Sequence, residues 1–214
     1  MWRFANRHRI VDTWPEVELE REPQRTPVAW TAAELSTLVA TTKNLQGPVR
    51  FNDQSLPQIN RCDWWTALIL TAFDSGERIT ALLGVEWSDV DLDAGWILFR
   101  AEHRKGGRAD NCLDVADDTI EALRRIQRPS GKVFPWDRGD LWMHFGAILE
   151  QAGLPYDRKR KFHCIRKSTA SHLAAAGGDP GQMLTHSCKK VTQAYLDPRI
   201  TGQRESIKRL TWRP

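Results

Sequence analysis

His163 and Arg166 stand three residues apart in His163-Cys-Ile-Arg166, at the head of a segment in which Ile165, Thr169 and Leu173 follow at helical spacing. Side chains three positions apart share one face of a helix. The spacing therefore sets side by side an imidazole, which exchanges a proton near neutral pH, and a guanidinium, a permanent planar cation. Both can address one phosphate. Arg158, Lys159, Arg160, Lys161 and Lys167 crowd around the pair with only Asp157 opposing them. Such a run is ordinarily a solvated face; beside a phosphate-binding pair it is also the surface a polyanion would meet. Farther along, Val191-Thr-Gln-Ala-Tyr195 carries a phenol, preceded by His186. A phenol has a pKa of about 10 and becomes a nucleophile only as its proton is taken, so a tyrosine used this way needs an imidazole close by.

These groups are scattered along the chain and need a body to gather them. Thr31-Ala-Ala-Glu34 is a capping box, in which hydroxyl and carboxylate each satisfy an unpaired backbone N–H, and it predicts a helix with Leu35, Leu38 and Val39 as its apolar stripe. Pro48 to Asn60 reads as a polar, turn-rich connection. Trp64, Trp65, Ala67, Leu68, Ile69, Leu70, Ala72 and Phe73 are apolar almost all round, which predicts a central buried helix ended or bent at Gly76. Arg78 to Val85 is a second short helix with Ile79, Leu82 and Leu83 inward. The period then changes. Trp96 to Arg100 and Cys112 to Val115 read as strands, joined by the basic tip His103-Arg104-Lys105-Gly-Gly-Arg108. Helical spacing returns at Ile120, Leu123 and Ile126, then at Leu141, Phe145, Ile148 and Leu149. The expected fold is mainly α with a small antiparallel three-stranded sheet, an α+β arrangement. Residues 1 to 28 mix charge with Pro15, Pro23 and Pro27 and are expected to be a linker or the remnant of a further domain, with the main domain over 29–214.

Taken in order, the motifs form a pattern. Gly76-Glu-Arg78 followed by Leu82-Leu83 and Trp87-Ser-Asp89-Val-Asp91 resembles the first box of the tyrosine recombinases of the phage-integrase type. Lys105 matches the lysine this family carries between its second and third strands, His163 to Arg166 its HxxR box, His186-Ser-Cys-Lys its later histidine motif, and Tyr195 its nucleophile. The resemblance runs from about residue 29 to 200 and implies a tyrosine-recombinase catalytic-domain fold. The implied activity is a site-specific DNA recombinase or integrase that cuts and rejoins DNA through a 3′-phosphotyrosyl bond.

The residue types suit that chemistry. His163 is the candidate base for Tyr195. Arg78 and Arg166 would hold the non-bridging oxygens of the pentavalent transition state with paired N–H groups. Lys105 would protonate the departing 5′ oxygen while His186 hydrogen-bonds the phosphate. Arg104, Arg108, Arg158, Lys159, Arg160, Lys161 and Lys167 are candidate DNA contacts. Because a phosphotyrosyl ester conserves the energy of the broken bond, no metal, ATP or other cofactor is expected. Singly, each residue has an ordinary reading as a packing, capping or solubilising group; it is the joint set that argues for a site.

Several departures from the family pattern bear on the site, among them Lys167 in place of the histidine common just after HxxR. Ala81 stands where the family usually has an acidic residue, so a carboxylate orienting the basic groups is expected to be missing. Thr185 stands where glycine is typical, in a stretch between Gly177 and His186 that is shorter than usual. The segment before residue 29 is also too short for the helical domain with which site-specific members clamp DNA. This leaves as alternatives a non-catalytic or truncated integrase-like DNA-binding module, and a nicking and closing enzyme of the type IB topoisomerase kind.

Bulk properties permit this. Lys and Arg outnumber Asp and Glu by 31 to 27, a net charge of +4 compatible with a double-stranded DNA partner without demanding one. Self-association on DNA, or pairing with a full-length recombinase, is the expected assembly. No apolar run is long enough to cross a bilayer and no secretory signal opens the chain, so a cytoplasmic protein without a membrane partner is expected. Cys62, Cys112, Cys164 and Cys188 form no CxxC pair, and their spacing fits neither a zinc frame nor a disulfide scaffold.

Overall fold

A computed structural model describes residues 2–11, 26–51, 54–104, 109–136, 138–157, 162–185 and 189–202. Within the stretch expected as a linker, Trp2–Arg7 form a short helix, α1. Thr31 then caps α2 (Ala32–Thr42) as its sequence requires: the Glu34 N–H donates to Thr31 Oγ1 at 3.2 Å and the Thr31 N–H donates to Glu34 Oε2 at 2.8 Å. Leu35, Leu38 and Thr42 form its buried face.

The segment from Pro48 to Asn60 departs from expectation. It is an antiparallel hairpin, β1 (Pro48–Phe51) with β2 (Gln54–Asn60), pairing Val49 with Leu56. Pro48 and Pro57 argue against a central strand, but a two-stranded ribbon consists of edges, where proline is tolerated. Val49 and Ile59 anchor it in the core.

Helix α3 (Arg61–Ser75) runs through the centre with Trp64, Trp65 and Leu68 fully buried. It stops at Gly76, whose φ of 58° is left-handed and comfortable only without a side chain. A single turn, α4 (Ile79–Leu82), follows with Arg78 at its N-terminal boundary. A short 3-10 turn over Trp87–Asp89 then leads into β3 (Val90–Asp91). The two aspartates of this stretch have distinct jobs. Asp89 is buried and receives Arg100 Nε at 2.7 Å, while Asp91 receives the N–H groups of Asp93 and Ala94 and so turns the chain back into β4 (Trp96–Phe99). With β5 (Asn111–Asp114) this completes the expected antiparallel sheet, in the order β3-β4-β5 with Ile97 opposite Leu113.

Helix α5 (Asp117–Arg125) begins without a capping side chain of its own. Asp74, on α3, supplies one by accepting from the Ala116 N–H at 2.8 Å and from Thr119 Oγ1 at 2.7 Å. Helices α6 (Arg138–Gln151) and α7 (His163–Ala175) follow, then the short turns α8 (Pro180–Met183), α9 (Lys189–Gln193) and α10 (Pro198–Thr201). The core is aromatic. Trp64 packs on Trp136 at 4.7 Å between ring centroids, Trp65 stacks on Phe145 at 6.0 Å, and Phe145 meets Phe162 at 5.2 Å. Phe162 immediately precedes His163, so the head of α7 is pinned to the centre of the molecule. No helix among the described residues is long and apolar enough to cross a membrane.

Candidate active site

Arg166 is the fixed point. It lies on α7 at 2% exposure and docks across the junction of α3 and α4, where its Nη1 donates to the Gly76 carbonyl at 2.5 Å and its Nη2 to the Leu184 carbonyl at 3.3 Å. The glycine matters because a Cβ at position 76 would come within 2.7 Å of the Leu184 side chain and 3.2 Å of Thr169. One turn earlier on α7 stands His163, and over both lies Tyr195, just past α9. The Tyr195 ring meets the His163 ring at 5.3 Å, close to edge-on, and the Arg166 guanidinium carbon at 5.4 Å from its centroid. The helix spacing and the tyrosine segment thus converge as expected.

The electrostatics favour a neutral imidazole. Desolvation, followed by the charges of Arg166, Lys167 and Arg78, lowers the His163 pKa to about 4, although the residue keeps an exposed edge. At neutral pH His163 is therefore free to accept a proton. Arg166 is also lowered, by burial and by Arg78, with Glu77 and Tyr195 acting the other way; a guanidinium so shifted is still cationic. Arg78 is half-buried and makes no hydrogen bond or ion pair among the described residues. It lines an open groove of about 560 Å³ with Thr80, His103, Arg104 and Lys132, leaving its N–H fork available to an anion.

The Tyr195 segment is held to α7 and to Ala29 at several points. Ser171 Oγ donates to the Tyr195 carbonyl at 3.3 Å and accepts from the Asp197 N–H at 2.9 Å. Asp197 is fully buried and accepts from the Ala29 N–H at 2.8 Å and from Arg199 Nη2 at 2.6 Å. Burial alone would raise its pKa, but these hydrogen bonds bring the carboxyl below the usual range. Next to Ala29, the Trp30 N–H donates to Ser168 Oγ at 2.8 Å, and His172 Nε2 lies 3.0 Å from the Trp30 carbonyl, where it can only donate. Tyr195 is thereby tied to α7 and to the strand-like entry of the chain.

One expectation is corrected. Ala81 is buried and supplies no carboxylate, yet the site has one. Glu77, 3% exposed, accepts from Arg104 Nε at 2.9 Å and from Asn111 Nδ2 at 3.2 Å, and its other oxygen lies 4.0 Å from Arg166 Nη1. A glutamate directly before an arginine was the only local signal. Arg104, expected among the DNA contacts, points into this network with 10% of its side chain exposed. Lys167 is half-buried beside the site. Lys105, Arg108, Arg158, Lys159, Arg160, Lys161 and His186 lie outside the described residues.

A helical body with a three-stranded sheet, gathering Arg78, His163, Arg166 and Tyr195 in one place, is the fold of the tyrosine recombinases. The XerA recombinase superposes with a TM-score of 0.61 at 19% identity, covering 90% of this chain and 66% of that one. A lambda integrase tetramer bound to a Holliday junction superposes with a TM-score of 0.63 at 16% identity, covering 95% of this chain and 58% of that one. At such identity the likeness concerns the fold. The sequence itself matches the phage integrase family over residues 31–200, and the chain belongs to that family. Among curated relatives, the tyrosine recombinase XerC of Xanthomonas campestris pv. campestris (strain B100) is 31% identical over 142 residues, 60% of this chain and 42% of the relative. The chain thus spans less than half the length of that relative.

Proposed function

We propose that the chain is a DNA strand transferase that cleaves and rejoins double-stranded DNA with Tyr195 as nucleophile, supplied in cis. What carries the reading is the meeting of Tyr195 with His163 and Arg166 inside one chain, at 5.3 and 5.4 Å. Tyr195 Oη attacks the scissile phosphorus as His163 takes its proton. Arg78 and Arg166 hold the non-bridging oxygens, and His186 adds a hydrogen bond. The bond from phosphorus to the 5′ oxygen breaks, and Lys105 protonates that oxygen. A 5′ hydroxyl from a second strand then reverses each step. Bond energy passes into the phosphotyrosyl ester and out again, so the cycle needs neither metal nor ATP.

Residues 29–214 are the catalytic domain in this reading, and 1–28 a linker or remnant. Arg108, Arg158, Lys159, Arg160, Lys161 and Lys167 contact the DNA backbone. Assembly on DNA, with further copies or with a full-length recombinase, is supported by a fold like that of the integrase tetramer on its junction. The test is to present a library of nicked suicide duplexes, in which the cut strand end diffuses away, and to look for a covalent protein–DNA adduct. An adduct with the unaltered chain and none with Tyr195→Phe is expected. DNA binding without any adduct would replace this reading with that of a non-catalytic binding module.

A further inference from the structure

We propose that Glu77, Arg104 and Thr185 form a closed positioning ring that sets where three catalytic residues stand. This rests on the roles given above to Arg78, Lys105 and His186, because each ring member is the immediate N-terminal neighbour of one of them: Glu77 of Arg78, Arg104 of Lys105, Thr185 of His186. Arg104 is the hub. Its Nε donates to Glu77 at 2.9 Å, its Nη1 to the Ala109 carbonyl at 2.8 Å, and its Nη2 to Thr185 Oγ1 at 2.8 Å. The bond to Ala109 joins the residues that flank 105–108, so one guanidinium holds both flanks and fastens them to two other segments.

The ring closes through the docked arginine. Thr185 Oγ1 donates to the Leu184 carbonyl at 2.8 Å, the same carbonyl that receives Arg166 Nη2, and Arg166 Nη1 lies 4.0 Å from Glu77. Two features mark this as more than surface hydrogen bonding. Glu77 and Arg166 are almost fully buried, so the carboxylate between two guanidiniums neutralises charge that solvent cannot. Thr185 has a φ of 51°, a left-handed conformation that a β-branched residue adopts only when its surroundings impose it. The hydroxyl that bridges Arg104 and Leu184 imposes it here. A glycine would relax the backbone and lose the bridge.

The ring makes a chemical prediction about the leaving group. If Arg104 places Lys105 as well as the neighbours of Arg78 and His186, the part of its loss that acts through Lys105 should vanish when the departing atom needs no proton. A duplex whose scissile 5′ oxygen is replaced by sulfur tests this, since its P–S bond breaks to release a thiolate that leaves unprotonated. The duplex is the one that yields the Tyr195 adduct, made with oxygen or sulfur at that position, and the readout is the single-turnover cleavage rate. With oxygen, Arg104→Ala should be slower by about a hundredfold, the usual cost of a misplacement near 1 Å; with sulfur Lys105→Ala should return to within a few-fold of the unaltered chain, and Arg104→Ala should recover in part while staying slower than Lys105→Ala. Thr185→Gly should cut the oxygen duplex at least tenfold more slowly while its melting temperature holds or rises, and Thr185→Ser should restore the rate.

Wild-type cleavage of the oxygen duplex by Arg104→Ala, or slowing that sulfur leaves wholly unchanged, overturns the proposal. If Lys105→Ala cleaves the oxygen duplex normally, the role of Lys105 as acid fails on its own. The ring is then judged by Thr185→Gly against Thr185→Ser: equal rates for the two refute it, and a rate lost with glycine and recovered with serine upholds it.

Discussion

A guanidinium that spends two of its N–H groups on backbone carbonyls, as Arg166 does, is oriented before any substrate arrives, and this preorganisation is what its replacement should remove. Each such oxyanion donor is worth roughly 2.7 to 4 kcal/mol of barrier. Arg166→Ala and Arg78→Ala should therefore each slow single-turnover cleavage at least about a hundredfold. Arg166→Lys should recover little, because an ammonium cannot reproduce the planar fork. His163 makes a second prediction, about stability. Its pKa is near 4 in the folded chain against about 6.5 for a free histidine, so the unfolded chain binds the extra proton between those values. The stability is complete above about pH 6.5 and is lost as pH falls toward 4. Melting temperatures measured from pH 7.5 to 5 should drop more steeply for the unaltered chain than for His163→Gln; parallel curves would refute it. The sequence singled out Arg78, His163, Arg166 and Tyr195 through the joint family pattern, and Thr185 as a departure from it. The contacts that Glu77 and Thr185 make were not legible. Their partners stand 27 and 81 positions away at Arg104, and a contact closed over such a distance leaves no periodic trace.

Among the elements, the short ones are secured from elsewhere. Helix α5 depends on Asp74 of α3 for its N-terminal cap, and removing a cap of this kind costs about 1 kcal/mol. Asp74→Ala should lower stability to chemical denaturation by roughly that much without changing the rate of cleavage. Asp197→Ala should do the reverse in emphasis. By releasing the Tyr195 segment from the Ala29 N–H and from Arg199, it should slow adduct formation more than it weakens DNA binding, read as cleavage rate against dissociation constant. Several elements were readable in advance: α3 from its continuous apolar surface, α2 from its capping box, and the four-residue β4 and β5 from the change of period after Trp87 and the glycine pair between them. The hairpin of β1 and β2 was not, since its polar composition and prolines imitate a loop; among its described side chains Val49 and Ile59 are buried. Nor could the sequence reveal that α5 is capped by a residue 42 positions earlier.

At the scale of the whole molecule, a net charge of +4 is too small to hold DNA by itself, and binding should rest on the local basic clusters. A protein that neutralises Z phosphates loses affinity as salt rises, with log Kd climbing by about 0.9Z per unit of log salt. Duplex binding should be weak and fall steeply between low and physiological salt, and charge-reversing Arg158, Lys159, Arg160 and Lys161 should flatten that slope. A flat dependence in the unaltered chain would place the interface elsewhere. The anchorage of the tyrosine has a mechanical side as well. Asp197, two positions from Tyr195, receives its hydrogen bond from Ala29, where the chain enters the domain, and Arg199 grips the carbonyl of the same residue at 3.0 Å. A pull on the backbone ahead of Ala29 is shared between these bonds, the Cys164 contact to the Val28 carbonyl and the buried ring of Trp30. In the proposed mechanism Tyr195 sits at the end of a short lever, and tension in the incoming chain would be felt at the atom proposed to attack DNA.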